Sequence, residues 1–488
     1  MAGVQAGGTR RCAVVGTGSR AEIYVAAMTT TYADSVRVVA WCDPNESRMA
    51  YYDGLLTAAQ LPPAAHYGPD AFHRLLAEQR PDTVLVTSPD ATHHRYAIAG
   101  LAAGCDVIVE KPLTTALEPA RQLAEAAAAG PGRLVVTFNY RYSPRNSQLR
   151  GVIAEGEIGQ VTSVHFEWVL DTIHGADYFR RWHRTKEVSG GLLVHKSSHH
   201  FDLVNWWTHD VPRTVCATGG LRFYGDRNAA ARGLGNRPAR STGWAGAVDD
   251  PFSLDLQSDE RLRRLYLEAE SDDGYIRDQD VFSPGITIED NAGLLVTYAS
   301  GAFMTYSLNA HSPWEGYRVA INGTEGRAEL DVVERAYAPA GTSGGVVSGR
   351  VVDPSVFPDT PGEASVRTVG TRLLVQRHWE RAREVAVSEG EGAHGGGDER
   401  LLADLFAATR TPDPLERAAD YRDGLRSVAV GIAANESLAT GRVVDITEFG
   451  LPIEREEPRP WGASAAGSHG GGGRESNPPD RDARSHRF

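Results

Sequence analysis

The sequence predicts an α/β protein of two domains, and three observations predict it. At 488 residues the chain is too long for one ordinary hydrophobic core, while an apolar content of 41% suffices for two. From residue 11 to about 140, short apolar runs alternate with helical stretches, the pattern of a parallel sheet covered by helices. Further on, residues 292–298 with 302–308 and 317–321 with 328–332 form two pairs of strand-like runs, each joined through a glycine turn as an antiparallel hairpin is.

Residues 1–10 are glycine-rich and expected to be loose. Arg11 to Val15 reads as a buried strand, Gly16-Thr17-Gly18-Ser19-Arg20 as a tight turn, and 21–30 as a helix. Strand, glycine turn and helix in that order let backbone N–H groups approach a pyrophosphate whose charge the helix N-terminus meets. A second strand, 36–41, ends just before Asp43, where a carboxylate can accept hydrogen bonds from the adenosine ribose. NAD is therefore expected over NADP, whose 2′-phosphate would face that charge, although Arg48 nearby pulls the other way. Helices at 71–79 and 93–103 and strands at 83–87, 107–109 and 134–138 continue the alternation. Ser88-Pro89 and Glu110-Lys111-Pro112 end two of these strands, and ligands of open parallel sheets sit beyond such ends, so both face the nicotinamide. Residues 139–144 cross to the second domain.

Residues 161–170 roughly alternate and read as a strand. Residues 176–187 then crowd aromatic and cationic groups together, among them Trp182, His183 and Lys186, a mix that suits a sugar's apolar faces and hydroxyls. Ser189 to Trp207 reads as one helix opening at Gly190-Gly191. Offsets of four and three residues place His195, His199 and Asp202 on one face, while Leu193, Phe201, Leu203, Val204, Trp206 and Trp207 press it into the interior. Residues 335–398 are an irregular insertion with one candidate helix at 371–386. His394 and Asp398 lie on a glycine loop that either closes over substrate or is a plain linker, before a helix from Arg400. Residues 451–488 are polar and low in complexity, the composition of a disordered tail.

Composition excludes several functions. With 63 acidic against 50 basic residues, a formal charge of −13, the chain repels nucleic acid and anionic membranes, and neither is expected as a partner. No apolar run approaches the roughly 18 to 20 residues of a membrane span, the first ten residues lack a secretory core, and a cytoplasmic location is expected. Cys12, Cys42, Cys105 and Cys216 lie far apart, which argues for reduced thiols and against a disulfide frame or zinc site. The chain has only three lysines, Lys111, Lys186 and Lys196; where arginine serves every ordinary need for charge, a retained lysine marks a place for a pKa-tunable ammonium.

Gly16-Thr-Gly-Ser-Arg20, Glu110-Lys-Pro112 and the Gly190-Gly191 segment with His199 resemble the Gfo/Idh/MocA oxidoreductases, the family of glucose-fructose oxidoreductase and inositol dehydrogenase. The resemblance covers about 10–330 and resumes near 399–450. It implies a Rossmann domain, 11–140, followed by an α/β domain, 141–450, with an open, mostly antiparallel sheet. It also implies bound NAD(P), a sugar, cyclitol or similar carbohydrate substrate, and a homo-oligomer, dimer or tetramer, packed through that sheet. Cofactor-side candidates are Gly16, Thr17, Gly18, Ser19, Arg20, Asp43, Ser88, Pro89, His93, Glu110, Lys111, Asn139 and Arg141. Candidates for the substrate side are Trp182, His183, Lys186, Lys196 and Asp202. The family's helix pattern is Asp-x-x-x-His, and here His195 stands in place of the aspartate that partners His199.

The chemistry expected is hydride transfer from a secondary alcohol, with Lys111 or His199 as base and His195 sharing or orienting the proton. A rival is an NAD-dependent glycoside hydrolase working by transient oxidation and elimination, which the extra histidine would serve. A non-catalytic NAD-binding sensor is a third reading, with no use for Lys111. His195 and His199 at i, i+4 also satisfy metal-ligand spacing, but the family's dehydrogenases need no metal and none is expected.

Overall fold

The computed structural model describes residues 9–338, 366–388, 396–408 and 412–455. Those up to Ile453 belong to one unit built on two sheets. The first opens with β1 (Arg10–Val15), α1 (Ala21–Thr29), β2 (Val36–Cys42), α2 (Glu46–Ala58), β3 (Ala65–Tyr67), α3 (Phe72–Gln79), β4 (Thr83–Val86), α4 (His93–Ala102), β5 (Asp106–Val109), α5 (Leu117–Ala129) and β6 (Leu134–Val136). Its strand order is β6-β5-β4-β1-β2-β3, all parallel. Cys12 to Val15 and Val84 to Val86 are fully buried, as strands covered on both faces must be, which is why they read as unbroken apolar runs. The order reverses between β1 and β4, so the carboxyl ends of β1, β2, β4 and β5 frame the crevice where ligands bind.

The chain then forms α6 (Pro144–Ala154), β7 (Val161–Asp171), α7 (Thr172–Arg180), α8 (Lys186–Ser189), α9 (Leu192–His195), α10 (Ser197–Thr208) and β8 (Pro212–Gly220). A long excursion follows, carrying α11 (Asp226–Ala231), α12 (Glu260–Leu262) and α13 (Glu270–Asp273). The second sheet is completed by β9 (Asn291–Tyr298), β10 (Phe303–Ser312), β11 (Glu315–Gly323), β12 (Gly326–Arg335), β13 (Gly370–Arg377) and β14 (Arg383–Val385). After α14 (Gly397–Phe406), β15 (Ala419–Asp420) and α15 (Tyr421–Thr440), β16 (Val444–Asp445) adds the last edge. The order is β14-β13-β12-β11-β7-β10-β9-β8-β16, antiparallel at every step except β7 with β10, so the expected open, mostly antiparallel sheet is present. Strict alternation along β10 buries Met304, Tyr306 and Leu308, with Tyr306 meeting Ser197, His200 and Phe201 of α10, and leaves Phe303, Thr305 and Ser307 outward.

Three local expectations change. Residues 371–386 form the hairpin β13-β14 instead of a helix, because Leu373 and Val375 are buried at period two while Arg372 and Gln376 face out. The stretch 189–207 is α9 and α10 with a break at Lys196, preceded by two left-handed glycines, Gly190 and Gly191, at φ 71° and 75°. A Cβ on Gly191 would lie 2.8 Å from the Glu289 carboxylate, so the chain can pass there only without a side chain. Finally, β15 returns from the far end of the chain to pair antiparallel with β6, extending the first sheet beyond the stretch 11–140. His394, residues 1–8, most of the insertion and all but five residues of the predicted tail lie outside the described residues.

Candidate active site

The glycine turn is fixed from below by Gly16. Its φ is 88°, and a Cβ there would meet the backbone of Ser88 at 2.5 Å, so glycine alone allows β1 and β4 to close at their carboxyl ends. Asp43, buried at the end of β2, accepts the Thr17 amide at 2.7 Å and the Asn45 amide at 2.8 Å. Burial, opposed by these hydrogen bonds and Arg48, raises its carboxyl above the ordinary value. No side chain caps α1, and the Ser19 amide is held at 2.9 Å by the hydroxyl of Tyr266, a neutral partner that a phosphate oxygen can replace. These residues fit a nicotinamide dinucleotide: an uncapped helix end for the pyrophosphate and a carboxylate for the ribose.

Beyond the turn, Arg20 pairs with buried Glu110, which also accepts the Tyr24 hydroxyl at 2.5 Å and the Lys111 amide at 3.1 Å. Burial alone would raise the Glu110 carboxyl, but Arg20, Tyr24 and Lys111 outweigh it and hold the group ionised. His93 bridges the two loops, its nitrogens 2.8 Å from the carbonyls of Ser88 and Pro112. This framework presents Lys111, whose Nζ donates to the His195 carbonyl at 3.2 Å. Desolvation pulls its pKa from 10.5 to about 8, against the attraction of Asp90 and Glu110.

Asp90, two residues past Ser88, lies 2.5 Å from His195 Nδ1. Burial raises the carboxyl well above its ordinary range and, with Lys111 and Arg181, drops the imidazole well below its own. The two therefore share a proton as one unit, with the imidazole uncharged at pH 7. The His195 ring packs edge-on against His183 at 4.2 Å between centroids, and His183 stacks on Trp182 at 3.6 Å. Lys111, His195, His183 and Trp182 thus come together, joined by Asp90.

The other candidates have different neighbours. His199 stacks on Tyr140 at 4.2 Å, in a ladder that continues through Trp168 to Tyr317 and His200. Lys196 donates to the Tyr140 hydroxyl at 3.0 Å and lies 5.0 Å over the Trp168 ring. Arg141 and Asp202, expected on opposite ligands, grip each other through two hydrogen bonds of 2.8 and 2.6 Å and tie the 139–142 turn to α10. Lys186 is engaged by Glu289 at 2.8 Å and Asn435 at 3.1 Å, and Asn139 by Asp398 at 2.8 Å. Asp90 was legible in principle, since the strand-end rule that selected Ser88 and Pro89 extends one residue further. Tyr266 carried no signal, because it reaches the turn from 247 residues away in sequence.

Among the described residues no cluster of three or more His, Cys, Asp or Glu side chains could hold a metal, and no helix is long and apolar enough to cross a membrane. Two family models match the chain: the oxidoreductase family's NAD-binding Rossmann fold over residues 10–138 and its C-terminal alpha/beta domain over 150–446. The protein YteT of Bacillus subtilis, described as an oxidoreductase, is 33% identical over 449 residues, covering 89% of this chain and 97% of that one. An inositol 2-dehydrogenase of Pseudomonas fluorescens is 30% identical over 198 residues, 40% of this chain and 54% of its own. The crystal structure of aldose-aldose oxidoreductase from Caulobacter crescentus shares the fold with a TM-score of 0.55 at 15% identity, covering 90% of this chain and 99% of that one.

Proposed function

The chain belongs to the Gfo/Idh/MocA family of NAD-binding oxidoreductases, and from that premise we propose that it is an NAD-dependent dehydrogenase of a secondary hydroxyl on a sugar, cyclitol or glycoside. The observation that carries this reading is Lys111, an ammonium with its pKa drawn to about 8, set beside the Asp90–His195 unit at the carboxyl ends of β4 and β5. The glycine turn, Asp43, Ser88 and Glu110-Lys111 would hold NAD, which supplies the hydride acceptor when bound. Lys111 Nζ takes the hydroxyl proton as the alcohol is oxidised, a role that a group titrating near neutrality performs best. His195 has its Nδ1 committed to Asp90, which fixes the ring and leaves Nε2 as the nitrogen able to meet a substrate hydroxyl. Half-buried Trp182, backed by the His183 ring stacked on it, offers a flat face to the ring of the substrate. The inositol 2-dehydrogenase relative supports a polyhydroxylated substrate.

A second reading is an NAD-assisted glycosidase. It is favoured by one feature, that Asp90, His195 and His183 supply more acid and base groups than a single hydride transfer uses. Incubating the protein with NAD and a panel of sugars, cyclitols and aryl glycosides separates the two: stoichiometric NADH marks the dehydrogenase, and aglycone release without net NADH marks the glycosidase. The outward face of the second sheet, where Leu295 and Phe303 are 45% and 40% exposed, is the proposed subunit contact. The four unpaired thiols suit the reducing cytoplasm.

A further inference from the structure

The excursion between β8 and β9 reaches back across the first domain and lands on the adenosine end of the crevice. Residues 262–275 meet the β2–α2 corner there through a continuous set of contacts. Asn45 Nδ2 donates to the Ala269 carbonyl at 2.8 Å, and the Ser47 amide, in the first turn of α2, donates to Asp272 at 2.8 Å. Each nitrogen of the Arg48 guanidinium has a partner: Nε donates to the Leu265 carbonyl at 3.2 Å, Nη2 donates to Asp273 at 2.6 Å, and Nη1 forms an ion pair with Asp43 at 3.6 Å. The rings of Tyr266 and Tyr275 lie 5.7 and 5.8 Å from it, and the Tyr275 amide bonds the second oxygen of Asp273 at 3.1 Å. Arg48 is 8% exposed, so it has no freedom to turn toward another anion without breaking this set.

This changes what the corner recognises. By position, Arg48 is the cation that a 2′-phosphate on the adenosine ribose would recruit, yet its charge is consumed by a carboxylate from the other domain. Asp43, Asp272 and Asp273 bring three carboxylates to one corner around one arginine, leaving an excess of negative charge where NADP is most negative. We propose that Asp273 is a specificity-determining residue, which excludes NADP by holding Arg48 away from the 2′-phosphate and so makes the excursion part of the dinucleotide site. This inference rests on the NAD-preferring reading of Asp43.

The test is equilibrium binding of NADH and NADPH to the full chain, followed by nucleotide fluorescence, which requires no substrate. Wild type should bind NADH more tightly than NADPH. Asp273→Asn, which keeps the shape and removes the charge, should cut that ratio by about tenfold or more, the scale of one charge-assisted hydrogen bond, chiefly by tightening NADPH. Asp273→Ser serves as a second variant should the amide misfold, and adding Arg48→Gln to either should erase the gain. A ratio unchanged in both Asp273 variants, or a gain that survives Arg48→Gln, overturns the proposal while leaving the Asp43 reading intact. A wild type that prefers NADPH defeats the Asp43 reading itself.

Discussion

Replacing Lys111 with methionine should make the protein more stable and almost inactive. In the folded chain the ammonium loses its proton near pH 8 instead of 10.5, with desolvation the dominant cause, so folding carries a penalty of about 3 kcal/mol for the charged form. That figure already nets the attraction of Asp90 and Glu110 against burial. The sign follows from proton binding. Below pH 8 both folded and unfolded chains hold the proton and the penalty is complete; between 8 and 10.5 only the unfolded chain holds it, so stability rises with pH; above 10.5 the penalty is gone. Methionine keeps the length without the charge and gives up the hydrogen bond to the His195 carbonyl, worth about 1 kcal/mol. Lys111→Met should therefore gain about 2 kcal/mol at pH 7, read as a raised thermal midpoint without nucleotide, and lose about 1 kcal/mol at pH 11, where only the missing hydrogen bond is left. Turnover should fall at least about a hundredfold, the scale of a lost acid or base, with NADH binding largely kept. Turnover within tenfold of wild type, or a lowered midpoint at pH 7, would show Lys111 to be a structural cation.

The remaining expectations concern its neighbours. Asp90→Asn and His195→Ala should each remove most activity, and the double variant little more, because groups acting as one unit are not additive; multiplicative losses would mean separate roles. For alcohol oxidation kcat/KM should rise with pH and level off above about 8, as Lys111 becomes neutral. In Asp90→Asn that limb should move to lower pH, since Asp90 is the main group holding the proton on Lys111, and an unmoved limb would contradict the coupling. Gly16→Ala should weaken NADH binding by at least about tenfold and lower the thermal midpoint, because its methyl would fall 2.5 Å from the Ser88 amide; unchanged affinity would separate the turn from the cofactor.

How much of this could be read from the sequence depended on the distance over which each signal acts. Strands β1, β4 and β5 were legible because burial on both faces demands unbroken apolar runs, and β9 to β12 because one-sided burial demands alternation. Lys111 was legible through its rarity and its place after a strand. The helix periodicity placed His195 and His199 on one face, but the break at Lys196 gives them different partners: a carboxylate from the first domain for His195 and an aromatic ladder for His199. Arg141 and Asp202 each looked like a ligand-binding charge, and only the fold shows that they neutralise each other. Tyr266 and Asp273 reach the crevice through a tertiary return that no local pattern encodes.

The central claim is that NAD would take the hydride from a carbohydrate alcohol carbon while Lys111, beside the Asp90–His195 unit, takes the hydroxyl proton. The most direct measurement uses inositol and glucosides deuterated at their secondary carbons, incubated with NAD and the protein, with the recovered nucleotide analysed by mass spectrometry. Deuterium should appear in the reduced nicotinamide with at least one of these substrates, and the label should be lost in Lys111→Met. Absence of label from every alcohol, or labelling equal in wild type and Lys111→Met, would contradict the account.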